Sequence, residues 1–291
     1  MKSLRVNGTE LWYLERGAGV PLLLVHGFPL DHTMWTGQLD LSVDSLAGQL
    51  DLSVGQTFLS ASGHARMSFP PVRIIAPDLR GLGRSPAAGG KVTMEQFADD
   101  LAALLDGLGI IEPVVFCGLS MGGYIALQFW RKHRARLRGL VLCDTRAAAD
   151  MPAAAAARLT LADRVLLEGP APLVEIMLPR LFGEATCRQR PDVVEELQSV
   201  MMGNDPRGIA AAARGMAERP DMTAMLGQIA CPTLVLVGQH DAISSSAEMR
   251  GMAEAIPGAK FVEIPDVGHM SPLENPAAVN AALAEFLSTT L

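Results

Sequence analysis

Apolar residues gather in short runs along this chain, and most runs end in a turn that leads into helical spacing. Pro21 to Val25, Val72 to Ala76, Val114 to Leu119, Leu140 to Cys143, Thr233 to Val237 and Lys260 to Ile264 each read as a strand. Most are apolar without alternation, the mark of strands covered on both faces in a parallel sheet. At the N-terminal end, Asn7-Gly8 separates Leu4-Arg5-Val6 from Glu10 to Leu14. That two-residue hairpin signal gives the sheet an antiparallel start. Thr93 and Gln96 form a capping box, Phe97, Leu101, Leu104, Leu105 and Leu108 make one stripe, and Gly109 stops the helix. Ser245 and Glu248 open a second helix through Met252, and Asn275-Pro276 opens a last one ending near Phe286. Strand followed by helix, repeated, predicts an α/β fold with a mostly parallel sheet flanked by helices.

Two stretches break the rhythm. Residues 146–226 are alanine-rich and helix-prone, with no clear strand, and are expected to form a helical cap inserted after the sixth strand. The core is then 1–145 together with 227–291. Within it, Gln38-Leu39-Asp40-Leu41-Ser42-Val43 recurs identically as Gln49 to Val54, a period of 11 residues inside the long connection from Trp35 to Val72. Two copies are too few for a solenoid. We read residues 38–69 as an atypical insertion, a tolerated passenger rather than a functional flap.

The candidate chemistry centres on Gly118-Leu119-Ser120-Met121-Gly122-Gly123, between the apolar run from Val114 and the helix-like Tyr124 to Trp130. Strand, sharp turn and helix lift Ser120 to where a substrate reaches it, and adjacent N–H groups point at the same place. Side chains at 118 and 122 would collide in so tight a turn. In a chain with 28 glycines the bare pattern carries little weight, so the context decides. A neutral hydroxyl needs a base, and the base needs an orienting acid. Of the six histidines, His269 follows a strand in Pro265-Asp266-Val267-Gly268-His269 and is the best base. His32, His64 and His133 read as solvated, and His26 and His240 as turn-holding groups. Asp241 follows the Thr233 to Val237 strand and is the preferred acid. Asp144, which leaves Leu140 to Cys143 at the same sheet edge, stays a competitor. Asp266 is too close to His269 in sequence, and Asp78 is explained by its turn. The oxyanion donors are the main-chain N–H groups of Met121 and of Phe28, which follows a strand in His26-Gly27-Phe28-Pro29.

At 291 residues and 49% hydrophobic, the chain can bury one large core. A formal charge of −7 and a pI near 5.4 disfavour nucleic acid as a partner. Met1 to Gly8 reaches a turn before an apolar signal region forms, and no run of about 18 apolar residues follows. A cytoplasmic protein with no membrane partner is expected. Cys117 and Cys143 lie in strand-like runs, while Cys187 and Cys231 are isolated, so free thiols and no metal site are expected.

On His26-Gly27-Phe28-Pro29, Asp78 to Ser85, Gly118 to Gly123, Gly238-Gln239-His240-Asp241, and Gly268-His269 with Leu273-Glu274-Asn275-Pro276, the chain resembles the α/β-hydrolases of the lid-bearing esterase and lactonase type. Within that family it is most similar to 3-oxoadipate enol-lactonases and small carboxylesterases, over nearly the whole chain. The resemblance implies an α/β-hydrolase fold and a Ser120, Asp241, His269 triad. It also implies a Phe28 and Met121 oxyanion hole, no cofactor, and a helical lid that sets specificity for a small ester or lactone. The connection at 38–69 is longer than the family pattern. Branches with an aspartate nucleophile, the dehalogenases and epoxide hydrolases, are disfavoured by Ser120. Two alternatives stand: a C–C bond hydrolase or cofactor-free haloperoxidase or perhydrolase using the same triad, and a non-catalytic binding protein on the hydrolase fold.

Overall fold

The computed structural model describes residues 1–42, 71–87 and 89–290. Its strands are β1 (Lys2–Val6), β2 (Thr9–Gly17), β3 (Val20–Val25), β4 (Val72–Pro77), β5 (Val114–Leu119), β6 (Leu137–Cys143), β7 (Thr233–Gly238) and β8 (Lys260–Ile264). They form one sheet in the order β1-β2-β4-β3-β5-β6-β7-β8. The β1/β2 and β2/β4 pairs are antiparallel and the rest parallel. The β1/β2 turn is the expected Asn7-Gly8, with φ of 45° and 75°, the left-handed values a twisted two-residue hairpin requires. The helices are α1 (Met94–Gly107), α2 (Met121–His133), α3 (Pro152–Glu168), α4 (Ala171–Met177), α5 (Glu184–Gln189), α6 (Pro191–Gly203), α7 (Pro206–Ala217), α8 (Ser246–Ala255), α9 (Ser271–Glu274) and α10 (Pro276–Thr290).

The sheet separates two cores because successive side chains of a buried strand face opposite ways. Leu23, Val25 and Phe116 join Phe97 and Leu101 of α1 and Ile125 and Phe129 of α2. Leu22, Leu24 and Val115 join Trp35 and, from α10, Leu283 and Leu287. The helix from Thr93 forms as its stripe predicts: the Thr93 side chain accepts from the Gln96 N–H, and Phe97, Leu101, Leu104 and Leu105 are buried. The last helix runs past Phe286 to Thr290, since the hydroxyls of Ser288, Thr289 and Thr290 bond back to carbonyls one turn earlier. A 3₁₀ segment at His32–Ser42, which carries no periodic signal in the sequence, seats Met34, Trp35 and Leu41 against the second core. Gln38, at the head of the first duplicated copy, is buried there and donates to Asn280 Oδ1 at 3.1 Å and Pro272 O at 3.3 Å. The rest of the expected insertion, residues 43–69 with the second copy and His64, lies outside the described residues.

Helices α3 to α7 all lie between β6 and β7. α7 is seated backbone to backbone on the residues after β4. A Cβ on Gly208 would stand 1.7 Å from Gly81 O and one on Gly215 1.8 Å from Val92 O, while the Val92 N–H donates to Ala211 O at 3.1 Å. α3 lies outside α7, with only Ala162 and Val165 buried. The two ends of this excursion meet: Met222 N–H donates to Ala147 O at 2.9 Å and Arg219 Nη2 to Ala148 O at 3.0 Å. No described helix is long and apolar enough to cross a membrane.

Candidate active site

Ser120 sits between β5 and α2 with φ 54° and ψ −112°, a sparsely populated conformation for a residue with a side chain. Its surroundings fix it. The Ser120 N–H donates to Cys143 O at 3.0 Å, and Thr145 Oγ1 donates to Ser120 O at 2.7 Å. Both flanking glycines are required: a Cβ on Gly118 would stand 2.2 Å from Gly122 O, and one on Gly122 2.3 Å from Val25 O. The latter contact also brings the exit of β3 against the first turn of α2. Gly27 completes it, since a Cβ there would be 2.9 Å from Leu119 Cδ2 and 3.4 Å from Ser120 Cβ. Phe28 and Met121, the expected oxyanion donors, therefore lie on two adjoining turns.

The ends of β7 and β8 supply the other two residues. His269 Nδ1 lies 2.8 Å from Asp241 Oδ2, and both side chains are nearly inaccessible to solvent. With its N–H directed at Asp241, Nε2 keeps a lone pair. The Asp241 carboxylate also accepts from the N–H groups of Ile243 (2.7 Å) and Ser244 (3.0 Å) and from Ser244 Oγ (2.7 Å). Burial works to raise its pKa, but the His269 charge and hydrogen bond and the Ser244 donors outweigh it and hold Asp241 below its ordinary value. Asp144 has a different set of neighbours. Oδ1 accepts from Gly238 N–H at 2.8 Å, Oδ2 pairs with Ser271 Oγ, and burial and then the Asp241 charge push its pKa well above the ordinary value. It makes no hydrogen bond with His269.

The remaining histidines divide by contact. His26 is fully buried; Nδ1 donates to Gly27 O at 2.8 Å and Nε2 accepts the Leu79 N–H at 3.0 Å, so a neutral ring, its pKa lowered by burial, holds the turn. The His240 N–H holds its turn by donating to Val267 O at 2.8 Å, and its ring nitrogen Nε2 lies 3.9 Å from Asp266 Oδ1. His133 and His32 are half-buried against aspartates rather than simply solvated, at 2.8 Å from Asp99 and 2.7 Å from Asp78. Among the described residues, Asp31, His32 and Asp78 are the one set of donor atoms close enough to hold an ion, within 4.8 Å. Asp78 already accepts from the main-chain N–H groups of His32 and Arg84 and from His32 Nδ1.

The sequence profile of the alpha/beta hydrolase family matches residues 22–282. The chain belongs to that family. As an α/β-hydrolase it is 29% identical to 3-oxoadipate enol-lactonase 2 of Acinetobacter baylyi over 214 residues, 72% of this chain and 76% of that protein. A thermophilic esterase from Thermogutta terrifontis, solved with malate bound, superimposes with a TM-score of 0.85 at 46% identity, covering 99% of this chain and 97% of that one. A non-heme haloperoxidase of Rhodococcus erythropolis is 33% identical over 129 residues, 44% of this chain and 38% of that protein. Around the site of this α/β-hydrolase stand three residues to which the sequence reading gave no part. Ser244 braces Asp241. Asn204, after α6, accepts from Gly83 N–H at 2.7 Å and donates to Pro29 O at 2.9 Å, beside Phe28. Glu274, noted only as part of the family motif, is buried against the His269 loop. The Asp-x-x-Ser spacing of 241–244 is a local turn signal that could have found the first. Asn204 answers to Gly83 and Pro29, distant in sequence, and Glu274 joins the distant Gly183 and Thr186 to its near neighbours Gly268 and Met270.

Proposed function

We propose that this chain hydrolyses a small carboxylic ester or lactone through an acyl-enzyme on Ser120. The observation that carries this reading is the buried Asp241–His269 hydrogen bond, at the same sheet end as a serine held in a strained turn. Asp241 fixes the tautomer that leaves His269 Nε2 basic, and His269 takes the Ser120 proton as Oγ attacks the carbonyl carbon. The N–H groups of Phe28 and Met121 stabilise the oxyanion. His269 then gives its proton to the leaving alcohol, and a water activated by the same ring releases the acid. The enol-lactonase and esterase relatives support this bond type. The helices between β6 and β7 act as a cap that bounds the pocket and excludes water.

Ser120→Ala is expected to lower turnover of p-nitrophenyl acetate by about four orders of magnitude with the fold intact. Wild-type protein should hydrolyse dissolved short esters and small lactones faster than emulsified long-chain lipid. Near-normal turnover by the alanine variant would remove Ser120 from the reaction. The haloperoxidase relative favours a second reading in which hydrogen peroxide replaces water at the acyl-enzyme and a peracid leaves. Peracid formation outpacing hydrolysis under equal nucleophile would favour it.

A further inference from the structure

The short helix α9 ends at Glu274 and turns its side chain back over its own beginning, with the N–H groups of Leu273 and Glu274 both donating to Met270 O. Glu274 Oε1 accepts from the N–H of Gly268 at 2.8 Å and of Met270 at 3.2 Å, the two amides that flank His269. Its other oxygen, Oε2, accepts from Gly183 N–H at 2.8 Å and Thr186 Oγ1 at 2.7 Å, both in the excursion between β6 and β7. One buried carboxylate thus joins two segments distant in the chain.

The backbones leave no play between those segments. A Cβ on Gly268 would stand 2.6 Å from Gly183 N and 2.7 Å from Phe182 C. The Met270 N–H also reaches Leu181 O at 3.1 Å, and Arg190 Nη1 donates to Leu273 O at 3.1 Å. Three N–H groups and a hydroxyl converge on Glu274, and only a carboxylate offers two oxygens that each accept two bonds. Hydrogen bonds to a charged acceptor are about twice as strong as neutral ones. Asp241 orients the imidazole from its Nδ1 edge, but the main chain that carries the ring is fixed from the Glu274 side.

Resting on the assignment of His269 as the base, we propose that Glu274 is a positioning residue. It sets where the His269 ring stands by clamping both flanking amides onto residues 181–186 of the cap. The seating of the cap is thereby built into the rate of proton transfer as well as into the shape of the pocket.

The test uses full-length protein and p-nitrophenyl acetate, with active protein counted by phosphonate labelling of Ser120 and Ser120→Ala run alongside. Glu274→Gln keeps the volume but puts an NH₂ group in place of one acceptor oxygen, so either the Gly268 and Met270 amides or the Gly183 amide lose their acceptor. Its kcat should fall by about 10-fold and that of Glu274→Ala by about 100-fold, the scale of a catalytic group misplaced by roughly 1 Å, with KM within about threefold of wild type. Thr186→Val, which touches only the cap side, should lower kcat by about threefold in wild type and not at all in Glu274→Ala, since coupled contacts are not additive. If the Gln variant lowers the melting temperature while active protein keeps its kcat, or if the loss falls on KM alone, Glu274 only holds the fold and the proposal is overturned. Where the Ala variant does not fold, the Gln and Val variants decide. Should Ser120→Ala stay active, the esterase reading fails and this proposal with it; a silent Ser120→Ala beside an unaffected Glu274→Gln defeats the positioning role alone.

Discussion

Asp241 and Asp144 leave neighbouring strands at the same sheet end, and both are buried, yet only one touches His269. Asn in place of Asp241 puts an NH₂ group where an acceptor is needed and turns the ring to its wrong tautomer. Asp241→Asn is expected to cost about 10⁴ in kcat. Asn in place of Asp144 still accepts from Gly238 N–H and keeps a polar group beside Ser271 Oγ, so Asp144→Asn should keep kcat within about threefold. Steady-state rates of the two variants, at matched folded fraction, check both; the reverse ranking would move the acid to residue 144. The placement of Ser120, Asp241 and His269 at one sheet end was legible because each follows a strand, β5, β7 and β8, through a short glycine-bearing turn. Glu274 and Asn204 were not, because a side chain's partners 91 and 175 residues away leave no local trace in a sequence.

At the scale of elements, the strands were legible because burial on both faces writes a run of apolar residues. The 3₁₀ segment at His32–Ser42 was not: its inward face carries Gln38 among Met34, Trp35 and Leu41, and Thr33, Thr36 and Gly37 weaken any helical reading. The fit of α7 against the core was equally hidden, since a glycine in an alanine-rich helix does not announce what lies beyond it. Gly208 has the Gly81 carbonyl oxygen where a side chain would begin. Gly208→Ala therefore forces helix or loop to move, at a cost of about 1–3 kcal/mol. The melting temperature should fall by roughly 2–10 °C, read by calorimetry. A Gly251→Ala control, at a helical glycine with open space around it, should not lower it.

Across the whole molecule, the buried acids around the His269 loop give stability a pH dependence whose sign differs from group to group. Asp144, raised by burial and by Asp241, keeps its proton in the folded state while the unfolded chain has already released it. Its contribution is full below the ordinary carboxylate value and is lost as pH rises toward the folded one. Asp241, held low by His269, acts in reverse and loses stability only as pH falls below the ordinary range. Urea midpoints between about pH 5 and pH 8 should decline more steeply for wild type than for Asp144→Asn, because the difference isolates that one group. Parallel slopes would show that Asp144 ionises freely in the folded protein.

The closure of the excursion between β6 and β7 has a consequence for how such a molecule changes over time. Ala147 and Met222 are bonded main chain to main chain, so seen from the sheet the five intervening helices occupy the doorway of a short loop. Their length and sequence meet the core at that doorway, at the seats on Gly81, Val92 and the His269 loop, and at Asn204, which reaches Gly83 and Pro29. A chain so arranged can exchange one set of helices for another without shifting the register of a single strand.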